Sequence, residues 1–213
     1  MITNLRSSSF KNYCLGYRVS RKRQLEMDLK CEEKPITFRK FIDWGNDHEV
    51  NGVAKWVKIN QKMPTHILED QKSFRLEGWF EGFSISTTPD GISKETLLEV
   101  KCPAAGVKNY PEVDKKGDDI SYDGFPSEHL CQIYGQQMIM NKLGYKIKKT
   151  DLVCWTPKHT KIWTVWLNED YVSYMTELLK EYCGSLLNNK KPLLKPDPYQ
   201  GKHYIELTYN NGV

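Results

Sequence analysis

Asp90, Glu99 and Lys101 place two carboxylates and one amine within a dozen residues. The stretch runs Thr88-Pro89-Asp90-Gly91-Ile92, then Leu97-Leu98-Glu99-Val100-Lys101-Cys102-Pro103. Pro-Asp-Gly between apolar runs signals a turn, because proline presets φ and glycine accepts positive φ without steric cost. Glu99 and Lys101 are spaced i, i+2 in an apolar run that reads as a strand. They therefore share one face, about 6.6 Å apart along the axis, while Leu98, Val100 and Cys102 take the other. A turn that returns Asp90 beside Glu99 gathers two anionic groups and one ammonium in a small site. Such a set suits a hard divalent cation and a water held near a lysine.

Several elements must position these residues. Residues 37–60 carry a helical stripe of apolar or small residues, at Phe38, Phe41, Ile42, Gly45, Gly52, Val53, Trp56 and Val57, with Thr37 as the expected N-cap. Glu49 falls on that stripe. A carboxylate there is costly unless compensated, either by an arginine or backbone N–H at the stripe's edge or by a metal. From Ser73 to Thr88 the aromatic and β-branched pattern predicts strands leading into the Asp90 turn. The run 97–102 is the next strand, and Pro103 ends it. Residues 104–127 read as a long turn-rich connection, expected to face substrate, with a disordered insertion as the alternative.

A helix is expected from the N-cap Ser127 to a stop at Gly144, with Gln132 and Gln136 on one face, where they could aim at the active site or simply make a polar edge. Runs 150–156 and 161–167 predict a hairpin. Residues 169–188 predict a final amphipathic helix, and a tail begins at about residue 190. The Trp and Tyr residues follow strand and helix periodicity, so they are expected in the core rather than as base-stacking platforms. Near the N-terminus, one or two short helices are expected. Arg6, Ser7 and Ser9, with the basic cluster that includes Arg21 and Arg23, offer hydroxyls and guanidiniums that could hold a phosphate or simply form a solvated, capped helix face.

Composition narrows the class. The 213 residues are 39% hydrophobic and 27% charged, ordinary for one globular domain and unlike a disordered chain. The net charge of +4 is compatible with a polyanionic partner without requiring one. Six cysteines contain no C-x-x-C pair, so zinc-ribbon and iron–sulfur ligation lose support, and reduced thiols in an intracellular protein are expected. No apolar run approaches the ~18 residues of a membrane span, and no secretory leader is visible. The five histidines have no ligand spacing, and none is assigned a catalytic role.

The order of these features, together with Trp44-Gly45-Asn46-Asp47-His48-Glu49, Pro89-Asp90, Glu99-Val100-Lys101 and Gln132, resembles the PD-(D/E)-x-K nuclease superfamily. Within it, the chain is similar to the lambda-exonuclease or YqaJ-type viral recombinase family, from about Ile2 to Tyr182. The resemblance implies an α/β fold with a restriction-endonuclease-like core, a central mixed β-sheet flanked by helices. It implies a single domain over 1–213 that hydrolyses DNA phosphodiesters with Mg²⁺ or Mn²⁺. Asp90, Glu99 and the Val100 carbonyl would ligate the metal, and Glu49 would complete the site. Lys101 would orient or activate the attacking water and offset transition-state charge, while Gln132 would position water or substrate. Ile2–Phe10 looks like the segment in which that family holds a DNA 5′-phosphate, although the family's arginine just before it has no counterpart here. The implied activity is a 5′→3′ exonuclease of recombination, repair or viral DNA processing. A single-strand annealing protein or recombinase is the implied partner, and the chain would act as a monomer or a homo-oligomer such as a trimer. An endonuclease of the same superfamily and a DNA-binding module without catalysis are the alternatives.

Overall fold

A computed structural model describes residues 4–15, 39–61, 66–67, 72–104, 124–190 and 202–211, without the side chains of 39–41 and 66–67. In chain order the elements are β1 (Asn4–Arg6), α1 (Phe10–Leu15), α2 (Arg39–Asn60), β2 (His66–Ile67), β3 (Phe74–Phe80), β4 (Phe83–Thr87), β5 (Gly91–Ser93), β6 (Thr96–Lys101), α3 (Leu130–Lys142), β7 (Lys149–Trp155), β8 (Thr160–Trp166), α4 (Glu169–Asn188) and β9 (Ile205–Asn210). Short 3₁₀ turns at Ser7–Ser9 and Ser127–His129 precede α1 and α3.

The described strands form two mixed sheets. One has the order β2-β5-β6-β7-β8-β9, the other β1-β4-β3. Only β6 and β7 run parallel in the larger sheet, with Thr96 opposite Lys149 and Lys101 opposite Cys154. That parallel pair lies at the centre, and Leu152, Val153 and Cys154 of β7 are fully buried, as expected for strands covered on both faces. Helix α2 packs on one face of β6 and β7, through Val53 and Trp56 against Leu98, Val100, Cys102, Val153 and Ile162. On the other side, α1, α3 and α4 share the largest apolar cluster with both sheets.

Helix α3 is buried nearly all round, from Leu130 through Met140 apart from Gln132. A helix with no solvated face is a central one. Its polar residues must then find partners inside the fold: Gln137 donates to Thr150 Oγ1 (3.0 Å) and to the Val165 carbonyl (3.1 Å). Helix α4 is amphipathic as the sequence predicts. Asn168 caps it by accepting the Tyr171 N–H, and Asn189 ends it in the left-handed region at φ 50°.

Several expectations change. Ser127 does not cap α3; it begins the 3₁₀ turn after Pro126 and makes no side-chain cap bond. Proline fixes φ but leaves the tighter turn open, so α3 proper starts three residues later, at Leu130. Residues 4–6 form a strand, because β4 offers a parallel edge on which Leu5 is buried against Ile85. The tail from about residue 190 contains β9, which pairs with β8 and completes the sheet. Ile42, placed on the inner stripe of α2, is 54% exposed; Gly45 and Glu49 are half-buried, and the stripe is buried at Gly52, Val53 and Trp56. Thr37, most of the 104–127 connection, Cys31 and the basic cluster with Arg21 and Arg23 lie outside the described residues. The other five cysteines are free and buried.

Candidate active site

Strand β5 ends the pairing on one edge of β6: Gly91 sits opposite Leu98, and beyond it β5 is gone. Asp90 takes over there. Its N–H donates to the Leu98 carbonyl (2.9 Å), and its Oδ2 accepts the Val100 N–H at 2.5 Å. The N–H and C=O of one strand residue lie on the same edge. The Val100 carbonyl therefore points out of the edge that Asp90 occupies. Asp90 and the strand at Glu99-Val100-Lys101 thus meet, but through the β5–β6 hairpin and not through a Pro-Asp-Gly turn: Asp90 is a bend, and Gly91 opens β5 without a positive φ.

Glu99 and Lys101 do project together. Glu99 is 2% exposed, and its Oε1 accepts both Lys101 Nζ and Gln132 Nε2, each at 2.5 Å. Its Oε2 accepts Gln136 Nε2, also at 2.5 Å. Gln136 is fully buried, and the sequence reading did not place it in the site. The available signal was its i, i+4 spacing from Gln132 on a helix otherwise almost free of solvent. A carboxylate has about four acceptor positions, so three donors leave roughly one open.

Glu49 comes from the opposite face of the sheet, on α2. The helix can lie close because residue 52 is glycine: a Cβ there would stand 2.3 Å from Val100 Cγ1. Glu49 is half-buried, and its carboxyl is held above its usual range by burial first. The Lys101 charge opposes that shift and Glu99 adds to it. Asp90, 7% exposed, is pushed well above the usual carboxylate range by burial and then by Glu99, against Lys101 and the Val100 N–H. Burial disfavours the Lys101 ammonium, but Glu99, Asp90 and Glu49 outweigh it and raise the group above its ordinary value. Cys102 beside them is pushed up to about 12 by burial and by Glu49 and Asp90, so its thiol stays protonated.

Three carboxyl groups share one ammonium here, and burial raises Asp90 and Glu49, so a further cation would favour their charged forms. In kind, the donor set fits a hard divalent cation: carboxylate oxygens and a backbone carbonyl, with no soft ligand needed. In position it is not yet gathered, since among the described residues no three His, Cys, Asp or Glu side chains stand together as an ion's ligands. Histidine adds none. His129 is buried, and burial with Lys101 and Lys11 holds its ring well below the usual pKa, hence neutral. His48 is stacked between Trp44 (3.8 Å) and Trp155 (5.8 Å).

The N-terminal segment reaches the same place from the other sheet. Ser7 Oγ donates to Thr87 Oγ1 at 2.9 Å. Gly135 of α3 lets Phe10 dock, since a Cβ there would meet the ring at 2.5 and 2.7 Å. Together they frame a polar cleft of about 310 Å³ lined by Arg6, Ser7, Ser8, Thr87, Thr88 and Gln132, among others. Gln132 thus faces the cleft and also donates to Glu99. Ser9 is half-buried and is not part of this lining.

The fold is α/β, of the restriction-endonuclease-like type. It is similar to the crystal structure of an alkaline exonuclease (LHK-Exo) from Laribacter hongkongensis, with a TM-score of 0.63 and 14% identity over 87% of this chain and 89% of that one. The same exonuclease in complex with dAMP matches with a TM-score of 0.61 and 14% identity, over 87% of this chain and 88% of that chain. No protein-family model matches the sequence, and no curated protein matches it. No helix among the described residues is long and apolar enough to cross a membrane.

Proposed function

We propose that the chain is a metal-dependent deoxyribonuclease, an exonuclease that degrades linear duplex DNA from the 5′ end. The observation that carries the reading is the junction at Gln132. One side of it holds Glu99 beside Lys101 and Asp90; the other lines a cleft with Arg6 and Ser7. The likeness in fold to an alkaline exonuclease supports the same reading.

Asp90, Glu99, the Val100 carbonyl and Glu49 would hold Mg²⁺ or Mn²⁺. When bound, the cation would polarise a phosphoryl oxygen and lower the pKa of a bound water. Lys101 keeps its proton, because three carboxylates raise its pKa, so it acts as a fixed positive charge and hydrogen-bond donor. It orients water and offsets charge that grows on the phosphate; it is not a general base. Gln132 and Gln136 fix the plane of the Glu99 carboxylate. Arg6, Ser7 and Thr88 would receive a terminal phosphate, which sets the end from which the strand is shortened.

The deciding experiment compares linear with closed circular duplex DNA, with Mg²⁺ or Mn²⁺ and with EDTA. Loss of linear DNA alone, stopped by EDTA, is expected. Circular DNA cut as fast as linear would make the chain an endonuclease, and intact DNA at any protein excess would leave only a DNA-binding module.

A further inference from the structure

The aromatic rings were expected in the core, and Trp163, Tyr134, Tyr171 and Tyr182 are there. Trp166 and Tyr204 are not: they are 42% and 57% exposed. The two residues are neighbours, since the Trp166 N–H donates to the Tyr204 carbonyl at 3.0 Å. Each ring carries a lysine. Lys149 Nζ lies 5.3 Å from the Trp166 centroid, and Lys202 Nζ lies 5.4 Å from that of Tyr204. Lys149 stands directly opposite Trp166 in the β7–β8 pairing.

Their place in the sheet explains the exposure. On β7, Asp151, Val153 and Trp155 alternate onto the face that α2 covers, and Trp56 of α2 donates its indole N–H to Asp151 at 2.9 Å. Lys149 is the next residue of that series, two positions beyond the contact with Trp56. The corner is remote from the carboxylates: Lys149 pairs with Thr96, five residues before Lys101. That is ~16 Å along the strand.

We propose that this corner binds an unpaired nucleic-acid strand, with bases on Trp166 and Tyr204 and phosphates on Lys149 and Lys202. Two large rings on adjacent strands form a surface on which successive bases can stack, whatever their sequence. An exposed cation–π contact is weaker than base stacking, so an arriving base displaces the ammonium from its ring. The ammonium remains beside the strand and meets a phosphate. Acidic neighbours are mostly engaged: Asp151 is buried and accepts from Trp56 and Thr164, and Glu95 pairs with Lys148. Asp151 Oδ1 also lies 3.9 Å from Lys149 Nζ, a long ion pair that offsets part of the lysine's charge. Glu206, exposed two residues from Tyr204, opposes the two lysines, so stacking contributes more here than charge. The choice of nucleic acid over other polyanions rests on the nuclease reading, since digestion of one strand leaves the other unpaired.

The test uses the full chain in EDTA, so that binding is read without cleavage, with labelled oligo(dT) followed by anisotropy. Trp166→Ala with Tyr204→Ala should weaken binding at least about tenfold. Phenylalanine at both positions should restore most of it. Lys149→Gln with Lys202→Gln, which keeps the rings, should reduce the salt slope by about 1.4. Wild-type protein that ignores oligo(dT), or alanine variants that bind as wild type, would overturn the proposal. So would displacement by polyglutamate at equal charge, which would make the corner an acidic-peptide site. If the alanine variants melt early, the lysine variants decide. A chain that binds oligo(dT) through these rings yet cuts no DNA would sink the nuclease reading and leave this site standing.

Discussion

Gln136, with no exposed surface, donates its amide to Glu99 Oε2 at 2.5 Å, on the carboxylate oxygen that Lys101 and Gln132 do not use. Glu99 is thereby held by both oxygens, and its remaining acceptor capacity lies on Oε2. Gln136→Ala should leave a buried carboxylate oxygen without its donor. The expected cost is about 1–3 kcal/mol of stability, read from urea midpoints. The rate should fall by about 10–100-fold. Gln136→Asn, whose amide is one methylene short, should behave like alanine in rate; full activity in either variant would remove Gln136 from the site.

Lys101 and Glu99 cannot be deleted without structural cost. Glu99 is 2% exposed, so Glu99→Ala strands the amides of Gln132 and Gln136 and the Lys101 ammonium together. Lys101 is 27% exposed, and Lys101→Ala leaves Asp90, Glu99 and Glu49 without their shared cation. Each change should lower stability by about 1–3 kcal/mol and cleavage by at least about 100-fold. Glu99→Gln keeps the shape and isolates the loss of charge: with it, cleavage should still fall by that factor in single-turnover assays.

The approach of α2 depends on Gly52. A Cβ at that position would stand 2.3 Å from Val100 Cγ1 and 3.5 Å from Trp155 Cβ, so Gly52→Ala must push the helix outward. Overpacking of this kind costs about 1–3 kcal/mol. It should also withdraw Glu49, so the rate should drop more than the melting temperature alone explains. Gly45→Ala on the same helix meets nothing within 4 Å and should stabilise by up to about 1 kcal/mol. If the two alanines behave alike, the close approach at Gly52 is unimportant.

His129 supplies a pH dependence with a definite sign. Its folded-state pKa lies below the unfolded value of 6.5, because burial and the Lys101 and Lys11 charges disfavour the imidazolium. The unfolded chain therefore binds the proton more readily, and stability from this group is present above pH 6.5 and lost as pH falls below it. Melting temperature should decline between about pH 7 and pH 5, and His129→Gln should flatten that segment. A variant that keeps the wild-type slope would assign the decline to other groups.

The cleft at the N-terminus should read the end of the substrate. With Arg6 and Ser7 lining it, a 5′-phosphorylated duplex should be degraded faster than a 5′-hydroxyl duplex. Arg6→Ala should erase most of that difference, about tenfold for a charged hydrogen bond of 1.5 kcal/mol. Equal rates for both ends in the wild type would remove the cleft from end recognition.

The residues of the candidate site were readable where each announces itself locally. Pro89-Asp90 marks the end of one strand run, although it forms a bend leading straight into β5 and Gly91 takes no positive φ. Glu99 and Lys101 share a face by strand alternation alone. Glu49 was readable as a misfit on an apolar stripe. Elements whose reason lies elsewhere in the chain were harder. β1 forms because β4 presents a parallel edge, and β9 because β8 does; neither edge is visible from the segment that fills it. Gln136 shares a face with Gln132 that could have been a polar edge or part of the site, and only the burial of the helix around it decides between them. Trp166 follows strand periodicity as faithfully as Trp163, yet only one of them lies beneath another layer.

Asp90 faces the end of β6 because β5 and β6 form a hairpin, closed by Lys94 and Glu95, in which Gly91 meets Leu98 and Ser93 meets Thr96. Such a hairpin can lengthen or shorten by matched pairs at its turn without moving its open end. The separation of the acid from the Glu-x-Lys triplet in the sequence is thus decoupled from their separation in space, like the handles of tongs whose length does not alter how the tips meet. A search that fixes the interval between them will miss chains that carry the same site, whereas one that scores a hairpin turn, matched pairs across it and the triplet will find them.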